Sequence, residues 1–287
     1  MRDLLPNPIQ PLADVSVDMA PSVAAVAARG RLHRESVPAG PASVASQGFR
    51  ISWARHGDEV REAQRLRYKV FAEEMGARLP AHPEDLDADA FDDWCDHLLV
   101  RDVQTLRVVG TYRVLPPHQA RQLGCLYSDS EFDLSRLDAL RPGLLELGRS
   151  CVHRDFRSGS VIMALWAGLG EYMQRHGYTA MLGCSSVSMA DGGHHAASLY
   201  RQLSESTALS DPEYRVFPRL PLPLEHLEMN RPVEVPALLK GYLRLGARIC
   251  GAPAWDPDFG TADFLTLLRL SELHPRYARH FLGQNGT

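Results

Sequence analysis

Several short stretches of this chain set chemistry-capable side chains at spacings that suit a reaction. The segment Val152-His-Arg154-Asp-Phe-Arg157-Ser-Gly159-Ser160-Val161 lies between a strand-like run and a strongly helical one. A turn of that kind aims backbone N–H groups and the positive end of a helix at an anion, which suits a phosphate-bearing group. Arg154 and Arg157 flank it and add charge. An ordinary strand–helix turn has the same outline, so the segment alone leaves both readings open. His97-Leu-Leu-Val-Arg-Asp102 has the spacing of a His–Asp dyad. It stands on a strand-like run, however, where residues five apart point to opposite faces. Asp191-Gly-Gly-His194-His195 carries metal-ligating residue types. Adjacent histidines rarely share one ion and no third ligand is evident, so a polar helix start is the better reading and no metal is expected. The 5 cysteines (Cys95, Cys125, Cys151, Cys184 and Cys250) contain no CxxC pair. That excludes a disulfide scaffold and argues against structural zinc. Cys151 and Cys184 stand on apolar runs and read as buried thiols rather than nucleophiles.

The elements that must hold these groups alternate along the chain. Phe49–Ala54 reads as a strand by its period of two. A helix is predicted from an Asp58 N-cap through Phe71, with Val60, Ala63, Leu66, Val70 and Phe71 on its apolar stripe. A loop rich in Asp and Pro runs from Pro80 to Asp93. His97–Val100 and Arg107–Leu115 predict a hairpin turned at Asp102–Thr105. Leu144–His153 is a further strand. Ser160–His176 is a strong helix, stopped by Gly177. Thr179–Cys184 reads as a strand, Ala196–Leu203 as a short helix and Phe264–Leu270 as a late strand. The order predicts an α/β fold, a mixed sheet with helices on its faces, over residues 49–287. Residues 1–48 contain no Phe, Tyr or Trp. Such a segment can hardly offset its ordering entropy and is expected to be a disordered N-terminal arm without a catalytic group.

Composition bounds the function. The 287 residues are 45% hydrophobic and 23% charged, with a net charge of −4, which is globular and argues against a nucleic-acid partner. No apolar run approaches the roughly 18 residues of a membrane span. The start, Met1-Arg2-Asp3, lacks a basic region leading into an apolar one, so no secretory signal and a cytoplasmic location are expected.

The turn after Val152 resembles the strand–R-G-x-G-x-G/A–helix motif of the GNAT acyltransferases. Arg157 stands where that arginine does, while Ser158, Ser160 and Ile162 stand where the family favours Gly or Ala. A second set of motifs is similar to the acyl-homoserine lactone synthases, which share the GNAT fold. Leu66-Arg67-Tyr-Lys-Val70-Phe71 matches their L-R-x-x-V-F, and Asp93-Trp-Cys-Asp96 their D-x-x-D. Gly110-Thr-Tyr-Arg113-Val-Leu-Pro116 matches G-x-x-R-L-L-P, and Glu146-Leu-Gly148-Arg149 matches E-x-S-R. Ala77 replaces that family's tryptophan and Gly148 its serine, which speaks against lactone formation. The wording resembles more closely the bacterial L-ornithine N-alpha-acyltransferases of ornithine-lipid synthesis. LRYKVFAEEMGA, CDHLLV, GTYRVL, ELGRSCVHRDFR, LLKGYLRLGA and FGTADFLTLL carry that likeness.

The resemblance implies an acyltransferase that moves a 3-hydroxyacyl chain from acyl carrier protein to the alpha-amine of L-ornithine, forming a lyso-ornithine lipid. The partners it implies are the carrier protein and ornithine, with peripheral contact at the inner membrane through the lipid product. No cofactor is implied beyond the phosphopantetheine of the carrier. The residues carried over are Glu146, Arg149 and Arg113 for catalysis, and Arg67, Phe71, Asp93 and Asp96 for the acceptor. Arg154, Arg157, Gly159 and Ser160 are carried over for the donor. Making an amide from a thioester requires a deprotonated amine, a stabilised oxyanion and a departing thiol. On the splayed strand of a GNAT fold, here Leu144–His153, Glu146 could take the proton directly or through water. It could equally be a structural partner of Arg149 or Arg113. Arg67, Arg113 and Arg149 are expected to pair with Asp93, Asp96 and Glu146, because buried charge is costly unpaired. Phe71 is core or a wall of the acyl tunnel. No serine or cysteine is paired to a histidine, so transfer is expected to be direct, without an acyl-enzyme. A loop with serines and arginines suits one phosphodiester and an acidic carrier surface better than the pyrophosphate of coenzyme A. Two other readings are an autoinducer synthase acting on another amine and a catalytically silent GNAT-fold binding module.

Overall fold

Period-two burial starts the sheet. In the computed structural model, which describes residues 44–45 and 48–275, Phe49–Trp53 (β2) alternates buried and exposed side chains. It pairs antiparallel with Val44–Ala45 (β1) on one side. The remainder of the arm expected over residues 1–48 lies outside the described residues. Gly57–Tyr68 (α1) follows. Its N-cap is His56, not Asp58; Asp58 and Glu59 occupy the first turn, where the helix dipole favours carboxylates. After Tyr68 the backbone widens into a π-helix over Lys69–Glu74, which ends the regular stripe one turn earlier than the apolar spacing suggests.

The hairpin is Asp96–Asp102 (β3) and Val108–Leu115 (β4), longer at its first strand than predicted. All of β4 is buried, so its residues face a packed layer on each side. Pro117–Leu123 (α2) and Phe132–Asp133 (β5) lead to Leu144–Val152 (β6), where the strand was expected. Ser160–His176 (α3) keeps its predicted bounds. Gly159 before it and Gly177 after it adopt φ of +98° and +68°, which a side chain would strain. Ala180–Ser188 (β7) runs four residues past the predicted strand end, because its polar second half faces a cavity rather than a core. His194–Ser204 (α4), Phe217–Pro218 (β8), Ala237–Leu245 (α5), Arg248–Ile249 (β9), Ala254–Asp256 (β10) and Thr261–Arg269 (β11) complete the chain.

Among the described residues one mixed sheet runs β1-β2-β3-β4-β6-β7-β11-β10, with β9 also on β11. Helix α3 covers one face, where Leu145, Val161, Leu165, Leu169 and Met181 form a core. Cys151 and α1 form a cluster on the opposite face.

The feature that creates a site is the way β6 leaves β7. The two run parallel but register only through Leu144↔Ala180, Leu145↔Met181 and Glu146↔Leu182. Beyond that, β6 follows β4 and β7 follows β11, and the pair opens into a V. A bulge helps it open: Arg113 pairs with Gly148 and Thr111 with Cys151, leaving an extra residue on β6. Arg149 sits in that bulge with φ +49°. At the vertex a side chain on Gly183 would place its Cβ 2.4 Å from the Leu147 carbonyl oxygen. Only glycine lets the strands meet there. Gly183→Ala should therefore force the vertex apart and cost roughly 1–3 kcal/mol, the range for overpacking. Urea unfolding measures it; an unchanged midpoint would show that the vertex yields without strain.

Candidate active site

The floor of the site is a buried set of charges. Arg67 has no exposed surface and bonds Asp87 at 2.7 Å and Asp92 at 2.8 Å. Arg113 bonds Asp89 at 2.6 Å and Asp92 at 3.1 Å. Arg149 lies 3.3 Å from both Asp87 and Asp89. Burial works against the Arg67 charge, but Asp92 and Asp87 outweigh it and keep the guanidinium protonated. Burial would likewise raise the Asp92 carboxyl; Arg67 and Arg113 overcome it and hold it well below the usual range.

The three arginines are thus paired as expected in kind, but with other partners. Asp93 is exposed, because the 3₁₀ turn Asp92–Trp94 points Asp92 inward and its neighbour out. Asp96 accepts the Tyr172 hydroxyl of α3 at 2.7 Å, on the far side of the sheet from the network. Asp87 and Asp89 come from the 80–93 loop, and nothing in their local spacing marked them. His97 is fully buried against the Asp92 carbonyl, and Asp102 instead closes the hairpin turn through Thr105. Asp191 accepts the N–H groups of Gly193 and His195 and opens α4.

Glu146 pairs with neither arginine. Its carboxylate accepts the Tyr127 N–H at 2.6 Å and the Ser128 N–H at 2.8 Å, capping the 3₁₀ turn Tyr127–Ser130. Burial raises its carboxyl above the ordinary value, against the pull of those bonds. Beside it is a cavity of about 30 Å³ bounded also by Arg113, Tyr127, Gly148 and Arg149, room for about one water.

A second cavity of about 590 Å³ passes through the V and shares Tyr127, Leu147, Gly148, Arg149 and Cys184 with the first. On the α3 side it is lined by Ile162, Trp166, Leu169, Leu245 and Leu268. Phe71 is a wall of it, edge-on to Phe259 with centroids 6.0 Å apart. Arg149 lies over the Phe259 ring at 4.6 Å and the Tyr127 ring at 5.1 Å. The end away from α3 is acidic, with Asp256 and Asp263 in the wall and Glu131 against Cys184 and Asp263. Burial and then Asp256 push the Asp263 carboxyl up to about 6. Burial, then Asp263 and Asp256, raise Glu131 well above the carboxylate range. No described residue forms an ion pair with these three. Glu131, Cys184 and Asp263 converge closely enough for a metal ion. The Cys184 thiol, however, is pushed well up by burial and by Glu131, and a protonated thiol is a poor ligand. Sequence reasoning passed over this acidic end, because its members come from three distant segments.

At the turn before α3, Arg157 and Gly159 line the cavity, whereas Arg154 and Ser160 lie outside its wall. Arg157 bonds the Val152 carbonyl at 3.0 Å and Glu74 at 2.7 Å. Arg154 is exposed on the 3₁₀ turn Arg154–Phe156.

A GNAT acetyltransferase domain model matches residues 66–167. The L-ornithine N(alpha)-acyltransferase of Brucella abortus (strain 2308) is 38% identical over 237 residues, 77% of this chain and 84% of that one. The L-ornithine N(alpha)-acyltransferase of Agrobacterium fabrum (strain C58 / ATCC 33970) is 37% identical over 246 residues, 80% of this chain and 84% of that one. The solved structure of the AHL synthase LasI aligns at TM-score 0.49 with 12% identity, over 82% of this chain and 94% of that one. The chain is a GNAT-fold N-acyltransferase and belongs to the L-ornithine N(alpha)-acyltransferase family.

Proposed function

We propose that the protein transfers a 3-hydroxyacyl chain from acyl carrier protein to the alpha-amine of L-ornithine, giving a lyso-ornithine lipid. The observation that carries this reading is the single cavity through the V, apolar toward α3 and acidic at its other end. An acyl chain suits the first part. A cationic amino acid suits the second, where Asp256 and Asp263 meet no basic partner among the described residues and would receive the side-chain ammonium. The relatives from Brucella and Agrobacterium are named for the same acceptor. Arg149 would meet the acceptor's carboxylate, since its own contacts with Asp87 and Asp89 are long at 3.3 Å.

The alpha-ammonium gives one proton, through a water in the smaller cavity, to Glu146. The amine attacks the thioester carbon, and a C–N bond forms. Backbone N–H groups of β6 beyond Glu146, where β7 no longer registers, would stabilise the oxyanion. The C–S bond breaks, and the amine's second proton leaves with the carrier's thiol. Glu146 suits the base role because burial raises its carboxyl. Arg154, and Arg157 at the cavity rim, would meet the phosphodiester and acidic side chains of the carrier. Among the described residues no helix is long and apolar enough to cross a membrane. Exposed Met75 and Leu238 border the cavity and suit release of a lipid at the inner membrane by a peripheral cytoplasmic enzyme.

The deciding experiment incubates the purified chain with 3-hydroxyacyl carrier protein and a panel of amines, and mass-analyses the product. Acyl-ornithine supports the reading; an acyl-homoserine lactone, or no product, overturns it. Glu146→Gln should lower kcat by roughly 10²–10⁴-fold in a folded protein. Wild-type turnover in that variant would remove Glu146 from the mechanism.

The acidic end sets a pH dependence. Asp263 holds a proton below about 6 and a negative charge above it, and Glu131 beside it titrates higher than a free carboxylate. Ornithine binding, measured by calorimetry, should therefore tighten as pH rises through about 6. Asp263→Asn should weaken binding and flatten that rise; an unaltered profile would place the ammonium elsewhere.

At the donor turn, Arg154→Glu is informative because it spares both contacts of Arg157. It should lower kcat/KM for the carrier-protein donor several-fold and flatten its salt dependence, since steering is screened within about 8–10 Å. The matching acyl-coenzyme A should be a far poorer donor than the carrier thioester. Equal efficiency of the two donors would sink the donor assignment.

A further inference from the structure

The ion pairs of Arg149 do not by themselves fix its guanidinium. The residue sits in the β6 bulge with φ +49°, off the regular ladder. Its contacts with Asp87 and Asp89 are 3.3 Å each, longer than a tight charge-assisted bond of roughly 2.7–2.9 Å. Its side chain is nonetheless mostly buried and borders both cavities. Two aromatic rings supply the rest of its surroundings. The guanidinium carbon lies 4.6 Å from the centroid of Phe259 and 5.1 Å from that of Tyr127. Both fall inside the roughly 6 Å over which a ring face attracts a cation.

Tyr127 is anchored through its N–H to Glu146. Phe259 comes from a different part of the chain, the turn between β10 and β11. Its N–H donates to the Asp256 carboxylate at 3.0 Å. The carbonyl of Asp258, one residue before it, accepts the Arg78 N–H at 2.8 Å. Phe71 of the π-helix meets its ring edge-on. Three separate contacts therefore seat this ring under Arg149.

A ring does for Arg149 what a third carboxylate could not. A guanidinium has five N–H donors in its plane and no acceptor. A further carboxylate would take N–H groups and add negative charge that repels an incoming anion. A ring face attracts the cation and does neither. Arg149 thus keeps donors, and net attraction, for a carboxylate brought by the substrate to the place where the strands part.

We propose that Phe259 is a positioning residue. With Tyr127 it clamps the Arg149 guanidinium to receive the acceptor's carboxylate, and so makes the enzyme prefer an amino acid to the same amine without a carboxylate. The proposal rests on the acceptor reading above, and deepens it by assigning the residue that sets the geometry of Arg149.

The test uses L-ornithine and 1,4-diaminobutane, which is ornithine without its carboxylate. With the carrier-protein donor saturating, kcat and KM for ornithine and the inhibition constant of the diamine are measured in the wild type, Phe259→Leu and Phe259→Tyr. Phe259→Leu should raise the ornithine KM roughly 3- to 30-fold, the worth of a desolvated ring face. Most of the loss should fall in KM rather than kcat. The diamine constant should hold, because the acidic end is unaltered. Phe259→Tyr keeps a ring and should keep the wild-type KM. Partial unfolding lowers the amount of active enzyme and leaves both constants alone. An ornithine KM unmoved in Phe259→Leu, or raised equally in Phe259→Tyr, would overturn the clamp. Two constants that rise together would trace the effect to the Asp256 turn and overturn it as well. A wild type that holds the diamine as tightly as ornithine would overturn the carboxylate contact itself, and the clamp with it, whereas the variant outcomes bear on the clamp alone.

Discussion

A guanidinium with no exposed surface cannot be left unpaired, and Arg67 is the residue on which the acceptor side is built. It reaches from α1 to Asp87 and Asp92, and through them to Arg113 on β4 and Arg149 on β6. One balanced group of three arginines and three aspartates thereby ties a helix, a loop and two strands together. Each member is partly desolvated, so each depends on the others holding their geometry. The loop that supplies the aspartates has little apolar surface of its own, and the charges fix it against the sheet. Tyr127 and Phe91 are drawn into the same arrangement, since Arg113 lies over both rings.

On that base the sheet does something a uniform ladder cannot. Hydrogen bonding between β6 and β7 stops after Glu146, and the strands separate around the bulge at Arg149. A flat continuous sheet would have divided the molecule into two sealed faces. The opening joins them, so a long apolar chain on the α3 face and a charged amino acid on the other can meet at one carbon. The strained φ of Arg149 lies where the strands part, and the glycine at 183 lets them stay in contact up to that point.

Polarity then divides along the cavity by distance from the opening. At the acidic end, burial and then the neighbouring carboxylates raise Asp263 and Glu131, a condition that a bound cation would relieve. On the α3 side the few polar groups are neutral hydroxyls and an indole, with Arg157 at the rim. The acidic groups and the neutral ones thus lie on opposite sides of the sheet. Glu146 sits between them, held by two backbone N–H groups that fix where it points without supplying a counter-charge.

Much of the fold was legible in the residues because it rests on local rules. The alternation in Phe49–Trp53, the apolar stripe of Ser160–His176 and the glycines that bracket that helix are each read within one or two turns of chain. The need for buried arginine–aspartate pairs could also be inferred, since charge must be compensated wherever it is buried. Which aspartates compensate it could not. A 3₁₀ turn shifts the inward carboxylate from Asp93 to its neighbour, and a loop brings Asp87 and Asp89 from outside any motif. Asp96, Phe71 and Glu146 stood out equally in the sequence. Only packing sent the first to Tyr172, the second into the cavity wall and the third to a backbone cap. By itself the sequence determined the elements, their order and the residue types available for chemistry, because these follow from spacing along the chain. The tertiary structure alone decided the partners and the two ends of the cavity. Those depend on distances between segments far apart in sequence, which no local pattern encodes.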